Sequence, residues 1–478
     1  MRGFLASSIG VTCAAVLALP SVPAAGAVPA PGRAAEPYAA GLPGSTQSLP
    51  LAPLTRDRAL GPATAQGLFR QDVRHFSMVG VVWDNPGTEL RGRVQVRTRA
   101  AGSATWSGWQ DVETHNTEHA ADPGTAERAS GRVRGATAPL WVGDSDGVEV
   151  RVRAADERGT QGREETGGGT RTLAATAPLP SGLRLELVDP GDPGDPGDLG
   201  DPGDPGGEVP PQPGPESDPR TGTVDLESAE SLAASTANTD LAPLGATEIP
   251  ALDERATQEE LYTLRAGELT EQQRAKPYIG PRPRIVTRRG WGADENLRER
   301  GFVYTSKVKA AFVHHTASGN GYRCSQAASV IRGIYRYHVR SMGWRDMGYN
   351  FLVDKCGTVY EGRAGGVAKP VLGAHTLGFN TNSMGIAVIG TFGTAKPPAA
   401  AVTAIARLTA WKLGLWGANP RGKTYLKSGG GNLYRKGKNV RLNVISGHRD
   451  GFSTECPGRQ LYRKLGSARS TAARYQGR

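Results

Sequence analysis

Cysteine, aromatic residues and long apolar runs are all scarce in this chain. Four of the 478 residues are cysteine, aromatic residues make up 6%, and 57 lysines and arginines outnumber 46 acids. Beyond the N-terminus, no stretch approaches the roughly 18 consecutive apolar residues of a membrane span. A membrane-spanning mature chain is therefore excluded, and each cysteine can be considered individually.

The N-terminal residues 1–27 have the pattern of a signal peptide. One early positive charge precedes an apolar run over residues 4–19, and a triplet of small residues follows at 25–27. The alternative, a membrane anchor, is disfavoured because the run is short and is broken by Pro20. Cys13 lies within the segment to be removed. The mature chain is expected to be soluble and secreted or held in the cell wall.

Glycine and proline are concentrated in the middle of the chain. Residues 189–219 repeat Asp, Pro and Gly, a composition that cannot build a core and predicts an extended acidic linker. The polar stretch that follows has one expected helix, in TQEELYTLRAGELTEQQ, and is assigned to the same linker. The chain then divides into a front domain (68–188), a linker (189–275) and a back domain (280–470).

The front domain alternates apolar and polar residues with a period of two. The stretches GRVQVRTR, DGVEVRVRA and GLRLELVD each place apolar residues on one face, which predicts an antiparallel, all-β, sandwich-like accessory domain. Trp106, Trp109 and Trp141 are interpreted either as core residues or as platforms that stack on sugar rings. No group of acids or histidines there has catalytic spacing, so the function of this domain stays open.

The back domain alternates strand and helix patterns. VKAAFVHHT predicts a buried strand, SQAASVIRGIYRYHVRS a helix, GYNFLVDKCGTVYEGR a hairpin, SMGIAVIGTF a second buried strand and AAAVTAIARLTAWKLGLWG a second helix. Interleaved strands and helices of this kind form an α/β domain with a mixed central sheet flanked by helices.

Removal of Cys13 leaves an odd number of cysteines in an exported chain. Cys324 precedes the first helix and Cys356 lies in the hairpin, so a disulfide between them requires only that the helix return beside the sheet. Cys456 then remains, eight residues after His448 in SGHRDGFSTECPG. A metal ion would hold this cysteine as a thiolate and protect it from oxidation.

The histidines offer few further ligands. Adjacent strand residues point to opposite faces, so only one of His314 and His315 can enter a site with His448. His338 lies within a helix and is interpreted as a packing residue. Two imidazoles and one thiolate suit Zn²⁺ and leave the fourth position open, as in catalytic zinc sites. Three histidines of the front domain are expected to be separated from this site by the linker: His75, His115 and His119.

Five motifs in order resemble a known family. RRGWGA, FVHHTA, GWRDMGYNFLVDKCGTVYEGR, GAHTLGFNTNSMGIAVIG and GHRDGFSTECPG, over about residues 283–470, resemble the peptidoglycan recognition proteins. These share the zinc-dependent N-acetylmuramoyl-L-alanine amidase fold of bacteriophage lysozyme-type amidases. The front sandwich and linker are similar to those of exported actinobacterial amidases.

The resemblance implies a metal site and a reaction. The metal ligands would be His314, His448 and Cys456, with Tyr349 beside the metal-bound water and Thr454 in a similar part. Because family members without catalysis typically lack a ligand, the complete set favours an enzyme that cleaves the amide between N-acetylmuramic acid and L-alanine. The alternatives are a peptidoglycan-binding protein of the same fold and a zinc peptidase that cuts the stem peptide.

The resemblance also implies a peptidoglycan groove. His375 in GAHTLGFN would lie on its rim as a substrate-binding residue, and Arg363 of EGR is a second substrate-binding candidate. Residues 364–366, which follow EGR, match neither the diaminopimelate nor the lysine pattern, so the peptide preference stays open.

Charge and compartment restrict the other partners. The formal net charge is +11, and residues 421–441 carry seven Lys or Arg and no acid. This stretch is either a solvated loop or a surface that adsorbs to anionic cell-wall polymers, which are favoured over nucleic acid as partners of an exported protein. GANPRGKT (417–424) matches a phosphate-loop pattern, but a helix precedes it where a strand is required, so ATP is not expected. A monomer is expected.

Overall fold

The computed structural model describes residues 44–54, 64–155, 178–191 and 228–478. The predicted signal peptide and residues 192–227 of the predicted linker lie outside the described residues. Among the helices described, none is long and apolar enough to cross a membrane.

The first domain is all β, as predicted. Its strands are β1 Ser45–Pro50, β2 Ala52–Pro53, β3 Ala65–Arg70, β4 Phe76–Trp83, β5 Gly92–Ala100, β6 Gln110–Val112, β7 Gly135–Ala136, β8 Leu140–Ala154 and β9 Arg184–Asp189.

The long strand β8 pairs with different neighbours along its length. Its beginning pairs with β4, and its remainder lies between β3 and β5, with every pair antiparallel. The strands follow the order β1-β9-β4-β8-β3-β2, while β5 pairs with β6 and β7 pairs with β4. Alternate residues such as Val94, Val96 and Val150 are buried in the apolar core of this domain. The period of two in the sequence thus produced the sandwich-like packing.

Trp106, Trp109 and Trp141 are partly buried. The guanidinium groups of Arg151 and Arg97 lie 3.9 and 5.2 Å from the ring centre of Trp109. The ring of Trp106 stacks on Phe69 with 5.7 Å between ring centres. Arginine and phenylalanine therefore pack on the rings of Trp109 and Trp106, and stacking of these tryptophans on sugar rings stays a prediction.

The outer face of β4 and β9 packs against the second domain. Met78, Val82 and Val188 lie in one apolar cluster with Val330 and Ile334 of the second domain. Because both faces of β4 are covered, seven of its eight residues are buried. The two domains therefore share a core.

The second domain contains a mixed sheet and seven helices within the described residues. Its elements are α1 Ala229–Thr236, β10 Glu248–Ile249, α2 Glu254–Arg265, α3 Glu271–Ala275, β11 Ile285–Val286, β12 Ala310–His315, α4 Ala327–Arg336, β13 Phe351–Val353, β14 Val359–Glu361, β15 Ser383–Val388, α5 Ala399–Gly414, β16 Lys423–Lys427, β17 Asn439–Asn443, β18 Ile445–Gly447, α6 Arg459–Tyr462 and α7 Leu465–Tyr475.

The sheet has the order β10-β11-β14-β13-β15-β12-β18. Strand β12 runs parallel to β15 and β18, whereas β13 and β14 form an antiparallel hairpin. Val313 and Ile386 face α5 and α7 on one side, and Leu352 and Ala387 face α4 on the other. The predicted α/β class with a mixed sheet between helices is confirmed.

Residues 228–275 are folded, in place of the linker predicted for them. They contain α1 to α3 and the edge strand β10, and Ile249 and Leu261 are buried in the main core. The side-chain amide of Asn238 donates to the Glu361 carboxylate at 3.0 Å. Each helix buries at most two residues, so its pattern resembles that of a solvated segment.

A disulfide joins Cys324 and Cys356, as predicted. Cys324 begins a 3₁₀ turn immediately before α4, and Cys356 lies in the turn between β13 and β14. Cys456 is the free cysteine of the described residues and is buried. The helix does return beside the sheet, as the pairing required.

Replacing both Cys324 and Cys356 with Ser should lower the free energy of unfolding. The bridge closes a loop across 32 positions, for which loop-closure entropy gives about 3–4 kcal/mol. Chemical denaturation of the two proteins measures the difference. Mass spectrometry of unreduced peptides provides the check, since a peptide linking Cys456 to either partner would contradict the pairing.

Candidate functional site

Four buried side chains converge at one end of the sheet. His119, His314, His448 and Cys456 each direct a potential ligand atom to the same point, and these atoms lie within 4.8 Å of one another. The structure thus brings together the three predicted ligands and adds a fourth from the first domain.

Strand alternation selects His314. Phe312 and His314 lie on one face of β12, where the two imidazoles of His314 and His448 are 4.5 Å apart between ring centres. His315 points to the opposite face, and its Nδ1 accepts a hydrogen bond from the backbone N–H of Phe392 at 3.2 Å. This placement agrees with the sequence prediction that only one of the adjacent histidines enters the site.

Parallel strands bring His448 and Cys456 to the same edge. β18 lies parallel to β12, so His448, the first residue after β18, leaves the sheet beside His314. The loop that follows His448 then returns towards the end of β18, where the N–H of Arg449 donates to the carbonyl of Cys456 at 3.1 Å. Two residues eight positions apart therefore reach one point.

The fourth side chain overturns a sequence prediction. His119 lies in the segment 113–134, which connects β6 to β7 and is hereafter called the crossing segment. Its Nε2 is 3.6 Å from the Cys456 sulfur, and its ring centre is 4.5 Å from that of His448. The prediction that the linker separates all front-domain histidines from the site is wrong for His119, whereas His75 and His115 are exposed. An imidazole of the first domain thus lies beside the three predicted ligands, where the fourth position is predicted to be open.

The donor set fits a tetrahedral metal ion. Two ligands of a tetrahedral zinc, one nitrogen and one sulfur, are about 3.6 Å apart. The Cys456 sulfur lies 3.6 Å from Nε2 of His119 and 3.8 Å from Nδ1 of His314. Within the described chain, both ring nitrogens of His448 and Nδ1 of His119 are buried without a hydrogen-bond partner. An unpartnered ring nitrogen of His448, which lies beside the Cys456 sulfur and the other two rings, is expected where a cation binds.

Burial controls the protonation of the cluster. It lowers the pKa of His314 and His448, with neighbouring histidines adding to the effect, and lowers the pKa of His119 to about 3. The imidazoles are therefore neutral and keep their lone pairs. Burial raises the pKa of the Cys456 thiol, so a bound cation is needed to hold it as thiolate.

Two predicted catalytic residues border the cluster. The Tyr349 ring lies 5.5 Å from that of His314, and burial raises its pKa, with Cys456 and Glu118 adding to the effect, so the hydroxyl stays protonated. The Thr454 hydroxyl donates to the Glu118 carboxylate at 2.6 Å and accepts from the N–H of Cys456 at 3.1 Å.

His375 and Arg363 lie deeper than a groove rim. The His375 ring is fully buried, and its Nδ1 lies 3.0 Å from the Thr376 hydroxyl, which is 3.3 Å from Nε2 of His314. This chain of contacts orients the His314 ring. Arg363 donates to the carbonyl of Met347 at 2.6 Å and to a carboxylate of the crossing segment. Substrate contact by either residue stays a prediction.

Two family models match the chain. Residues 304–459 match the model described as N-acetylmuramoyl-L-alanine amidase. Residues 33–177 match the model described as Rv3811 N-terminal galactose-binding domain-like. The second match agrees with the all-β fold of the first domain.

Known proteins resemble the second domain. Peptidoglycan-recognition protein SC2 of Drosophila simulans is 32% identical over 184 residues, which cover 38% of this chain and 84% of the relative. Peptidoglycan recognition protein of Trichoplusia ni is 30% identical over 182 residues, covering 38% and 85%. Among solved structures, wild-type PGRP-LB of Drosophila is 26% identical, with coverage of 38% and 92% and a TM-score of 0.30.

Single alanine substitutions, including one at each of the two adjacent histidines, test which residues bind the metal. His314→Ala, His448→Ala and Cys456→Ala should each lose most of about one bound Zn²⁺ per chain. His315→Ala is the matched control and should keep it, because alternation turns that ring away. Elemental analysis after dialysis measures the metal content. Loss of zinc from His315→Ala together with retention by His314→Ala would reverse the assignment.

Proposed function

This chain belongs to the family of peptidoglycan recognition proteins and N-acetylmuramoyl-L-alanine amidases, and we propose that it is an exported zinc hydrolase of peptidoglycan. The bond cleaved is the amide between the lactyl group of N-acetylmuramic acid and L-alanine. The observation that carries this proposal is the complete ligand set of His314, His448 and Cys456 beside Tyr349.

The three residues of the second domain would hold the zinc. Neutral imidazoles and a thiolate are its preferred donors, and the Thr376 hydroxyl keeps the His314 ring in a fixed orientation. When bound, zinc supplies a Lewis acid that lowers the pKa of a coordinated water and polarises a carbonyl.

Tyr349 and Thr454 would act on the reacting carbonyl. Tyr349 remains protonated in its buried position, so its hydroxyl is a donor at neutral pH. A donor aimed at the carbonyl oxygen stabilises the negative charge that develops there during attack. Thr454, held by the N–H of Cys456, is placed to assist through its own hydroxyl.

The basic stretch 421–441 supports attachment to the wall. It forms most of the hairpin of β16 and β17, where Leu426 and Val440 face the protein. All seven cations of the stretch are exposed: Arg421, Lys423, Lys427, Arg435, Lys436, Lys438 and Arg441. A cationic exposed hairpin is suited to adsorb on anionic cell-wall polymers and to concentrate the enzyme at its substrate.

Two other functions use the same fold. A protein that binds peptidoglycan without cleaving it has no need of a complete metal site, so the retained Cys456 favours the hydrolase. A zinc peptidase would use the same ligands on a different amide of the stem peptide, and the products distinguish the two reactions.

Tyr349→Phe should slow the hydrolysis of peptidoglycan by about 10²–10³-fold, the usual effect of losing one oxyanion donor. The variant keeps the ring and should keep its zinc. Rates of amide cleavage and metal content are measured on the same preparation. A Phe variant as fast as the parent would exclude this role for Tyr349.

Digestion of purified wall should release new α-amino groups on L-alanine without new reducing sugars. End-group analysis of the soluble products identifies the bond, however slow the reaction. New reducing ends would indicate a glycosidase, and new amino groups on another stem residue would indicate a peptidase. Either result would overturn the proposed function.

A further inference from the structure

We propose that the crossing segment holds the enzyme in a latent state, with His119 as the fourth metal ligand and its acidic side chains in the substrate groove. This inference rests on the proposed function for the identity of the substrate. The closure of the metal site itself rests only on the geometry of the crossing segment.

The metal position is closed by an imidazole of the other domain. His119 is buried, like the other three residues of the cluster, and its Nε2 is as close to the Cys456 sulfur as a tetrahedral ion requires. Catalytic zinc sites keep their fourth position for water or substrate, whereas four protein ligands are typical of closed, structural sites. With His119 in place, the site has the closed form.

Glu118 forms a hydrogen bond with the predicted catalytic residue Thr454. Its carboxylate accepts a hydrogen bond from the Thr454 hydroxyl at 2.6 Å, and its backbone carbonyl accepts one from the N–H of Leu377 at 2.9 Å. The hydroxyl that would assist the reaction is therefore engaged by the crossing segment.

Asp122 binds the loop that carries the GAHTLGFN motif. Its Oδ1 accepts the N–H of Gly378 and the side-chain amide of Asn380, each at 2.7 Å. The same amide donates to the backbone carbonyl of Ala120 at 2.8 Å. The loop that carries the GAHTLGFN motif is thus bound by both main chain and side chain of the crossing segment.

Glu127 neutralises a predicted substrate-binding cation. Its two oxygens each accept a hydrogen bond at 2.9 Å from the guanidinium of Arg363, and the side chains of Arg363 and Glu127 are 5% and 6% exposed. Bidentate pairs of this kind are the strong ones among charge-assisted hydrogen bonds. An acidic peptide could reach Arg363 only after Glu127 has left.

One segment therefore engages the metal position, Thr454 and Arg363 together. These are the ligand site, the assisting hydroxyl and the cation that an acidic stem peptide would need. The crossing segment and the substrate cannot occupy them at once, so the segment acts as an intramolecular competitor.

In the proposed open state, the part of the crossing segment around His119 leaves without disrupting a helix or strand. The crossing segment contains no helix or strand, and both of its ends continue into strands of the first sheet. Its buried carboxylates are Glu118, Asp122 and Glu127, groups that water can solvate on release. Most of the apolar contact between the two domains lies elsewhere, at β4, β9 and α4, and within the crossing segment it includes Val133, at the end far from His119.

The test compares three variants of the full chain with the parent. His119→Ala removes the fourth ligand, and Glu127→Gln weakens the attachment to Arg363 while keeping His119. His115→Ala is the matched control, because His115 is exposed and lies in the same segment. The readouts are zinc affinity by chelator competition, the visible spectrum of the Co²⁺-substituted protein with and without acetohydroxamate, and the rate of peptidoglycan hydrolysis.

His119→Ala should bind zinc at least about tenfold more weakly yet hydrolyse peptidoglycan at least about tenfold faster than the parent. Acetohydroxamate should change its cobalt spectrum at concentrations that leave the parent and His115→Ala unchanged. Glu127→Gln should keep the zinc affinity and still gain activity. A purely structural residue would not shift affinity and rate in opposite directions.

Unchanged zinc affinity in His119→Ala, or equal access of acetohydroxamate to the parent and the variant, would overturn the latent state. If His119→Ala fails to fold, access of the probe to Glu127→Gln decides the question in the same way. If affinity and access respond as expected while no protein cleaves peptidoglycan, His119 does close the site and the proposed hydrolase is wrong.

Discussion

The burial of a thiol together with imidazoles is the constraint on which the site depends. A thiolate at Cys456 is unfavourable in an apolar interior, and protonation of His314 or His448 is unfavourable for the same reason. In the proposed metal site, a divalent cation would stabilise such a group of donors, and its binding would displace the thiol proton. The parallel pairing of β12 with β18 provides the framework, since it places both histidines at one edge of the sheet.

The sequence predicted the parts of this site that follow from local rules. Period-two alternation separated His314 from His315, and the odd cysteine count isolated Cys456 beside His448. The position of His119 in the site could not be predicted in this way, because a long linker in the sequence does not require that two domains lie far apart. A signal for the domain contact was present in FSMVGVVW, the sequence of β4, which is apolar on both faces. A strand with two apolar faces is covered on both sides, so it indicated that the front domain packs against another element.

Dependence on tertiary contacts also explains why the sequence of residues 228–275 predicts a linker. Their apolar residues are too few for a helical stripe, and the burial of Ile249 and Leu261 depends on the main core. The helix starts were nevertheless readable, because Ser228, Asp253 and Thr270 all cap helices with their side chains. Caps mark where a helix begins, whereas tertiary packing decides whether a short one persists.

In the proposed latent state, the contacts of the crossing segment are strong and also replaceable. The tether gives the segment a high effective concentration, on the order of millimolar or more, so free peptide competes poorly. A polymeric acidic substrate presents carboxylates of the same kind to donors such as Arg363, so opening exchanges one set of hydrogen bonds for another. The His119 imidazole at the metal position has no counterpart in a peptide carboxylate. The free energy difference between closed and open states is therefore set mainly by this ligand, which makes His119 the determinant of latency.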